Sequence, residues 1–209
     1  MILHGYFRSS AAWRVRIALN LKGLSAEPRY QHLRKGEQRS AEYLAINPQG
    51  LLPSLILDDG AVLTQSLAIC EYLDEVRPEP ALLPPDPIAR ARVRAFSQAI
   101  ACDIHPLQNL KVLKALEARG QTPKQTQAWA RDVIAGGFDA LEALVAGQPH
   151  PFAFGDQPSL ADICLVPQMA NARRFAVELR WPRLAAIEAA CAALPAFADA
   201  HPDRQPDAE

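Results

Sequence analysis

Residues 2–19 read Ile2-Leu-His-Gly-Tyr6-Phe-Arg8-Ser9-Ser10-Ala-Ala-Trp13-Arg14-Val-Arg16-Ile-Ala-Leu19, and this run decides the fold. Ile2 to Phe7 reads as a short strand that runs directly into a helix over about Ala11 to Lys22, with two serines at the join. Helix starts favour serine because its oxygen accepts a hydrogen bond from a backbone N–H that has no partner inside the helix. The same N–H groups, with the helix dipole behind them, stabilise an anion placed just outside. From the residues alone Ser9 and Ser10 read first as helix caps. The second reading is a seat for a thiolate, carboxylate or enolate, with Arg8 beside it.

Working outward, Ala26 to Leu33 reads as a second strand and Ser40 to Ile46 as a short helical turn stopped by Asn47-Pro48. Ser54–Leu57 and Ala61–Leu63 form a hairpin around Asp58-Asp59-Gly60. Gln65 to Val76 is an amphipathic helix with Leu67, Ile69, Cys70 and Leu73 on one side, and Gln65-Ser66 makes a second strand-to-helix junction. The order strand–helix–strand–helix–strand–strand–helix is that of a thioredoxin-like domain, placed at 1–80.

Pro78, Pro80, Pro84, Pro85 and Pro87 crowd the next stretch, and a helix cannot continue through them, so 81–87 is a proline-rich linker. From Ile88 to residue 209 the chain is alanine-rich and reads as an all-helical domain, with helices over about 87–117, 123–147, 159–178, 182–193 and 195–200. Ser159-Leu-Ala-Asp162 has the form of a capping box, which makes both residues structural. The fold class is therefore α/β plus all-α. The tail from His201 is expected to be poorly ordered or laid on the surface.

A formal net charge of -1 gives no reason to expect nucleic acid or membrane as a partner, and no apolar run is long enough to span a bilayer. With no signal segment at the start, a cytoplasmic protein is expected. The 4 cysteines, Cys70, Cys102, Cys164 and Cys191, are widely spaced in apolar helical neighbourhoods and read as small buried hydrophobes. Asp103-x-His105 lacks further ligands at metal-site spacing, so no metal is assigned. Trp13, Arg14 and Arg16 read as packing and salt bridges of the first helix.

Several blocks lie in one order along the chain: Tyr6-Phe-Arg-Ser-Ser10, Trp13-Arg-Val-Arg-Ile-Ala-Leu19, Asn47-Pro-Gln-Gly-Leu-Leu-Pro53 and Thr64-Gln-Ser-Leu-Ala-Ile69. Pro106-Leu-Gln-Asn-Leu110, Ala161-Asp-Ile-Cys-Leu-Val-Pro-Gln168, Ala170-Asn-Ala-Arg-Arg-Phe175 and Arg204-Gln-Pro-Asp207 complete the series. Together they resemble the zeta-class glutathione transferases, the maleylacetoacetate isomerases, over essentially the whole chain. The fold this implies is the thioredoxin-like domain followed by a helical bundle, with glutathione as cofactor and a homodimer as the assembly.

The resemblance also implies roles. Ser9 matches the thiol-activating serine and Ser10 is a backup donor. Gln65 and Ser66 match the pair that holds the γ-glutamyl end of glutathione. Leu52, before a cis Pro53, pairs with the cysteinyl part through its main chain, and Gln38 aligns with a contact to the glycyl end. Arg8 and Arg174 are anion clamps, since arginine grips carboxylates through two parallel hydrogen bonds. His105, Asn109 and Lys111 lie in a segment that borders the glutathione and substrate sites of relatives. Asp103 and His105 are shared with the related maleylpyruvate isomerases, which carry arginines where this chain has Leu110 and Lys111. Ala11 stands where many members carry cysteine, which disfavours side reactions through a mixed disulfide.

The activity so implied is glutathione-dependent cis–trans isomerisation of a small diketo dicarboxylic acid, by thiolate addition, rotation and elimination. Maleylacetoacetate, in tyrosine degradation, is the first choice of substrate. The alternatives are maleylpyruvate in gentisate degradation, conjugation of electrophiles, and a non-catalytic binding module.

Overall fold

The computed structural model describes all 209 residues and divides into two compact units, Met1–Leu82 with Ala193–Glu209, and Leu83–Ala192. The first unit holds a four-stranded sheet in the order β2-β1-β3-β4, built from β1 (Ile2–Gly5), β2 (Glu27–Tyr30), β3 (Ser54–Ile56) and β4 (Val62–Thr64). β1 is parallel to β2 and antiparallel to β3, which is antiparallel to β4. In this register His4 stands opposite Ser54, and Ser54 opposite Thr64. On the other side Gly5 pairs with Tyr30. The chain therefore leaves β1, β2 and β4, and enters β3, at one end of the sheet.

α1 (Ser10–Leu21) buries Ala12, Trp13, Val15, Ile17, Ala18 and Leu19. It packs against α3 (Ser66–Val76), which contributes Ile69, Cys70 and Leu73. α2 (Ala41–Ile46) is capped by Ser40, whose Oγ accepts from Tyr43 N at 3.2 Å. β2 is shorter than the strand expected from the sequence, and all four of its residues are exposed, as suits the outer edge of a sheet. The Lys22 side chain is fully buried, paired with Asp74, and donates to the carbonyls of Pro78 and Pro80. Asp74 also accepts from Leu82 N at 2.7 Å, so one buried ion pair holds the proline-rich segment to the helices.

Residues 193–209, expected at the close of the helical domain, cluster with the first unit instead. α9 (Pro195–Asp199) packs on α1, and Asn20 Nδ2 donates to Ala196 O at 2.9 Å. The Trp13 and His201 rings meet edge to face at 5.2 Å. The tail is thus held by specific hydrogen bonds, for which the sequence carries no periodic signal.

The second unit is all helical: α4 (Pro87–Gln98), α5 (Leu110–Ala118), α6 (Pro123–Val145), α7 (Leu160–Arg174) and α8 (Pro182–Ala192). α7 is buried nearly all round and is the centre of this unit, against α4, α6 and α8. The helix expected over 87–117, with a bend at Asp103–Asn109 caused by Pro106, is interrupted outright around that bend. Residues 99–104 form a π-helical turn and His105–Gln108 a 3₁₀ turn, after which Asn109 caps α5 with Oδ1 accepting from Lys111 N at 2.7 Å. Pro106 removes a ladder hydrogen bond there, and wider turns of this kind cluster at functional sites. Gly137 in α6 makes room for the turn, since a Cβ at that position would overlap the Ile104 side chain. α7 also stops earlier than expected. Ala176 sits at φ 54, Ala176 N bonds Arg173 O and Val177 N bonds Ala172 O, a Schellman ending made without glycine. Cys70, Cys164 and Cys191 are buried as expected, while Cys102 is exposed on the π turn.

The Ser159–Asp162 capping box is present. Asp162 accepts from Ser159 N at 2.8 Å, Ser159 Oγ at 2.9 Å and Ala153 N at 2.8 Å. Burial pushes its carboxyl above the ordinary value, against the pull of these donors. Replacing it strands two buried N–H groups, each of which costs about 1–3 kcal/mol. Asp162→Ala is therefore expected to lower stability by about 2–4 kcal/mol, read as a shift of the urea midpoint at unchanged slope.

Candidate active site

The end of the sheet at which those strands meet their loops gathers the sequence-predicted residues of the first unit. After β1 the chain turns through Phe7 and Arg8, and Ser9 caps α1 at φ -70, ψ 110. Its Oγ accepts from Ala12 N at 3.2 Å. That bond occupies a lone pair and leaves the Ser9 hydroxyl proton to be donated elsewhere, beside the positive end of the α1 dipole. Ser9 and Ser10 are both buried. Arg8 is exposed, its guanidinium 5.3 Å from the centre of the Phe7 ring. Tyr6 Oη is buried without a protein partner. Burial, and then the negative charge of Glu209, push its phenol above the ordinary value, so it is a neutral donor.

The second helix start is built differently. Gln65 precedes α3 at φ 67, ψ 115, a conformation that side-chain-bearing residues rarely adopt, and no side chain caps the helix. Its Nε2 donates to Gln49 Oε1 at 3.0 Å. Ser66 is the first residue of α3, and its Oγ accepts from Arg14 Nη1 at 3.2 Å. Arg14 is only 2% exposed. Once more the serine oxygen is committed as an acceptor and its proton is left to give. A buried cation behind an uncapped helix start, with a strained residue in front, suits a carboxylate.

Between these starts lies the segment leading into β3. Asn47, 1% exposed, donates from Nδ2 to Leu51 O at 2.8 Å, and Tyr43 Oη donates to the same carbonyl at 2.7 Å. The Leu52–Pro53 bond that comes next is cis. Gln38 lies in a 3₁₀ turn over Glu37–Arg39, in the loop after β2, and its Oε1 is buried without a protein partner. Ser9, Leu52, Gln65 and the Gln38 loop are thus joined to one end of one sheet.

In the second unit Asp103 is exposed on the π turn, and His105 is half-buried where the 3₁₀ turn begins. Asn109 acts as the cap of α5, and Lys111 is exposed in its first turn. Arg173 and Arg174, at the end of α7, divide. Arg173 makes a two-point ion pair with Glu188. Arg174 donates to Asn171 Oδ1 and lies 5.4 Å from the centre of the Phe175 ring. Asn171 Nδ2 and Gln108 Nε2 both donate to Gln168 Oε1 at 3.5 Å, a buried amide chain behind Arg174. No three His, Cys, Asp or Glu side chains come together as metal ligands would.

Arg14, a packing residue by its sequence, does pack, but its contact with Ser66 also ties it to the second helix start. The available signal is an arginine set among apolar neighbours on a helix that has to bury one face.

Comparison with known proteins fits this geometry. A family model described as the glutathione S-transferase N-terminal domain matches residues 8–76, and the corresponding C-terminal domain model matches 87–199. Maleylacetoacetate isomerase of Pseudomonas aeruginosa is 47% identical over 99% of this chain and 98% of its own. A holo structure of maleylpyruvate isomerase, a bacterial zeta-class glutathione S-transferase, superposes with a TM-score of 0.97 at 46% identity over 100% of both chains. Maleylacetoacetate isomerase of Anaeromyxobacter dehalogenans 2CP-1, with dicarboxyethyl glutathione and citrate bound in its active site, superposes at 0.90 with 48% identity, over 100% of this chain and 97% of that one.

A non-glycine residue held at positive φ costs about 1–3 kcal/mol. Gln65→Gly is therefore expected to leave the melting temperature unchanged or raise it, while weakening whatever anion binds at the α3 start. Thermal unfolding with and without ligand checks both.

Proposed function

We propose, on the premise that the chain belongs to the glutathione S-transferase family, that it is a glutathione-dependent cis–trans isomerase of a small diketo dicarboxylic acid, maleylacetoacetate first. The observation that carries the reading is the pair of helix starts on one end of the sheet, Ser9 on α1 and Gln65-Ser66 on α3, each with a serine proton left to donate. A scaffold has no need of a strained, uncapped helix start backed by a buried arginine.

The donor set fits glutathione. Gln65 and Ser66, with the α3 N–H groups, take the γ-glutamyl carboxylate. The Leu52 main chain pairs with the cysteinyl part, and the unpartnered Gln38 Oε1, an acceptor, is left to take an N–H of the ligand such as the amide of the glycyl residue. When bound, glutathione supplies a thiol nucleophile that adds reversibly to a conjugated double bond and is returned unconsumed. Ser9 would offer its Oγ–H to the thiol of bound glutathione, with the positive end of the α1 dipole beside it, and such a donor at a helix start would hold that thiol below the ~8.5 of a free one. Ser10 is the second donor of this turn. Arg8 and Arg174 hold substrate carboxylates and stabilise the enolate charge that develops. His105, Asn109, Lys111 and Asp103 complete the substrate-binding and cofactor-binding set. A homodimer in the cytoplasm is part of this proposal and is carried over from the family. No helix is long and apolar enough to cross a membrane.

Maleylpyruvate is the second reading, favoured by the maleylpyruvate isomerase superposition and by Asp103 with His105.

Parallel assays with maleylacetoacetate and maleylpyruvate, each with and without glutathione, are expected to give product only with glutathione and no loss of free thiol. Glutathione consumed in step with product would sink the isomerase reading. Ser9→Ala is expected to cut turnover by about 100-fold or more with a much smaller change in glutathione affinity, and the assignment fails if both change equally. Arg174→Leu is expected to raise KM for the dicarboxylate about 10-fold or more and to leave glutathione affinity near wild type, as titration calorimetry reads it.

A further inference from the structure

The turn that carries Ser9 is itself held from far along the chain. Ser9 N donates to Tyr6 O at 2.9 Å, which closes Tyr6–Phe7–Arg8–Ser9 as a β-turn with Phe7 in its second position. The turn's own hydrogen bond satisfies neither the N–H nor the C=O of Phe7, and Phe7 is only 3% exposed, so both groups need partners from elsewhere. Phe7 N donates to Asp207 Oδ2 at 2.8 Å. Phe7 O accepts from Arg16 Nη2 at 3.1 Å. Arg16 also donates to Ala200 O from both Nε and Nη2, each at 3.1 Å. The two exits of one turn residue are thus closed by the 200–207 segment, directly on one side and through Arg16 on the other.

We propose that Asp207 is a positioning residue for the reaction: by holding the Phe7 N–H it fixes the turn from which Ser9 presents its hydroxyl to the glutathione thiol. This rests on the role of Ser9 given above. A carboxylate accepting a backbone N–H is among the stronger hydrogen bonds, and a neutral residue cannot replace it in full. Arg16 supplies the countercharge. Burial lowers its guanidinium to about 10, partly offset by Asp207, so it stays charged at neutral pH. Two opposite charges therefore grip the two sides of one turn residue. The grip bears on chemistry because Ser9 is only two residues on and is fixed on its far side by α1. With Phe7 released, the turn can swing while the helix stays, and a misplacement of about 1 Å at a reacting group costs up to about 100-fold in rate.

The experiment compares Asp207→Ala and Asp207→Asn with wild type in the full chain, through three readouts. These are amide exchange at Phe7–Ser10 without ligand, the ultraviolet titration of bound glutathione thiolate, and kcat with KM for the dicarboxylate. In D207A the Phe7 amide is expected to exchange faster, the bound thiol to titrate at higher pH, and kcat to fall about tenfold with KM little changed. D207N keeps an oxygen that accepts the same bond and is expected to recover protection and most of the turnover. Thiol titration and kcat unchanged in D207A overturn the proposal, as does a D207N variant no better than D207A. Wild-type protein that binds glutathione yet titrates its thiol as in free solution sinks the role of Ser9, and the positioning claim with it. That failure is visible before any variant is made.

Discussion

The pairing of β1 with β3 in a single register, His4 against Ser54, is the constraint on which the rest of the first unit depends. These strands are short, so the register is set by which residues they bury: Leu3 and Leu55, paired with one another, are both in the core. A slip of one residue would turn one of the two to the opposite face from the other. Because the register holds, the start of α1, the start of α3 and the Leu51–Pro53 segment are delivered to the same end of the sheet. Chemistry that needs a thiol activator and a carboxylate anchor on one ligand then requires no further device than two helix starts.

The action of those helix starts comes down to hydrogen-bond arithmetic. A hydroxyl has one proton and two lone pairs, and a protein donor that takes a lone pair orients the proton away from itself. Ala12 N does this to Ser9, and Arg14 does it to Ser66. The contacts that look structural are thus the contacts that aim the functional group, so a cap reading and a catalytic reading of Ser9 are not alternatives. The buried Lys22–Asp74 pair and the Asn47–Tyr43 grip on Leu51 serve the same end at longer range, by fixing the segments that flank the site.

Much of this is legible in the sequence because the signals are local. Strand into Ser-Ser into helix, Asp-Asp-Gly at a hairpin, the proline-rich linker and Ser159 three residues ahead of Asp162 each carry their cause within a few residues. The roles proposed for Gln65, Leu52 and Arg174 rest on resemblance to a known family, since nothing in their immediate chemistry selects them. The positive φ of Gln65 leaves no mark in a sequence, where glutamine predicts nothing of the kind. The interruption of the helix after Gln98 is only half visible. Pro106 announces a bend, but the π turn also depends on the space left by Gly137, a contact between distant elements. Least legible is the contact of Asp207, which belongs to a block of the family resemblance but gives no local sign of a partner two hundred positions earlier.

That last contact gives the chain an awkward order of events. The helical unit is an insertion, entered after Leu82 and left before Ala193, and the first unit is made of the two segments on either side of it. During synthesis, domains tend to fold as they emerge, the earlier ones first. Here the whole sheet emerges first but its unit cannot be completed, because α9 and Asp207 are translated only after the whole insertion. The nascent first unit must therefore wait with the α1 surface that receives α9 uncovered. A peptide fused beyond residue 209 would be felt at the opposite end of the sequence, in the turn before Ser9.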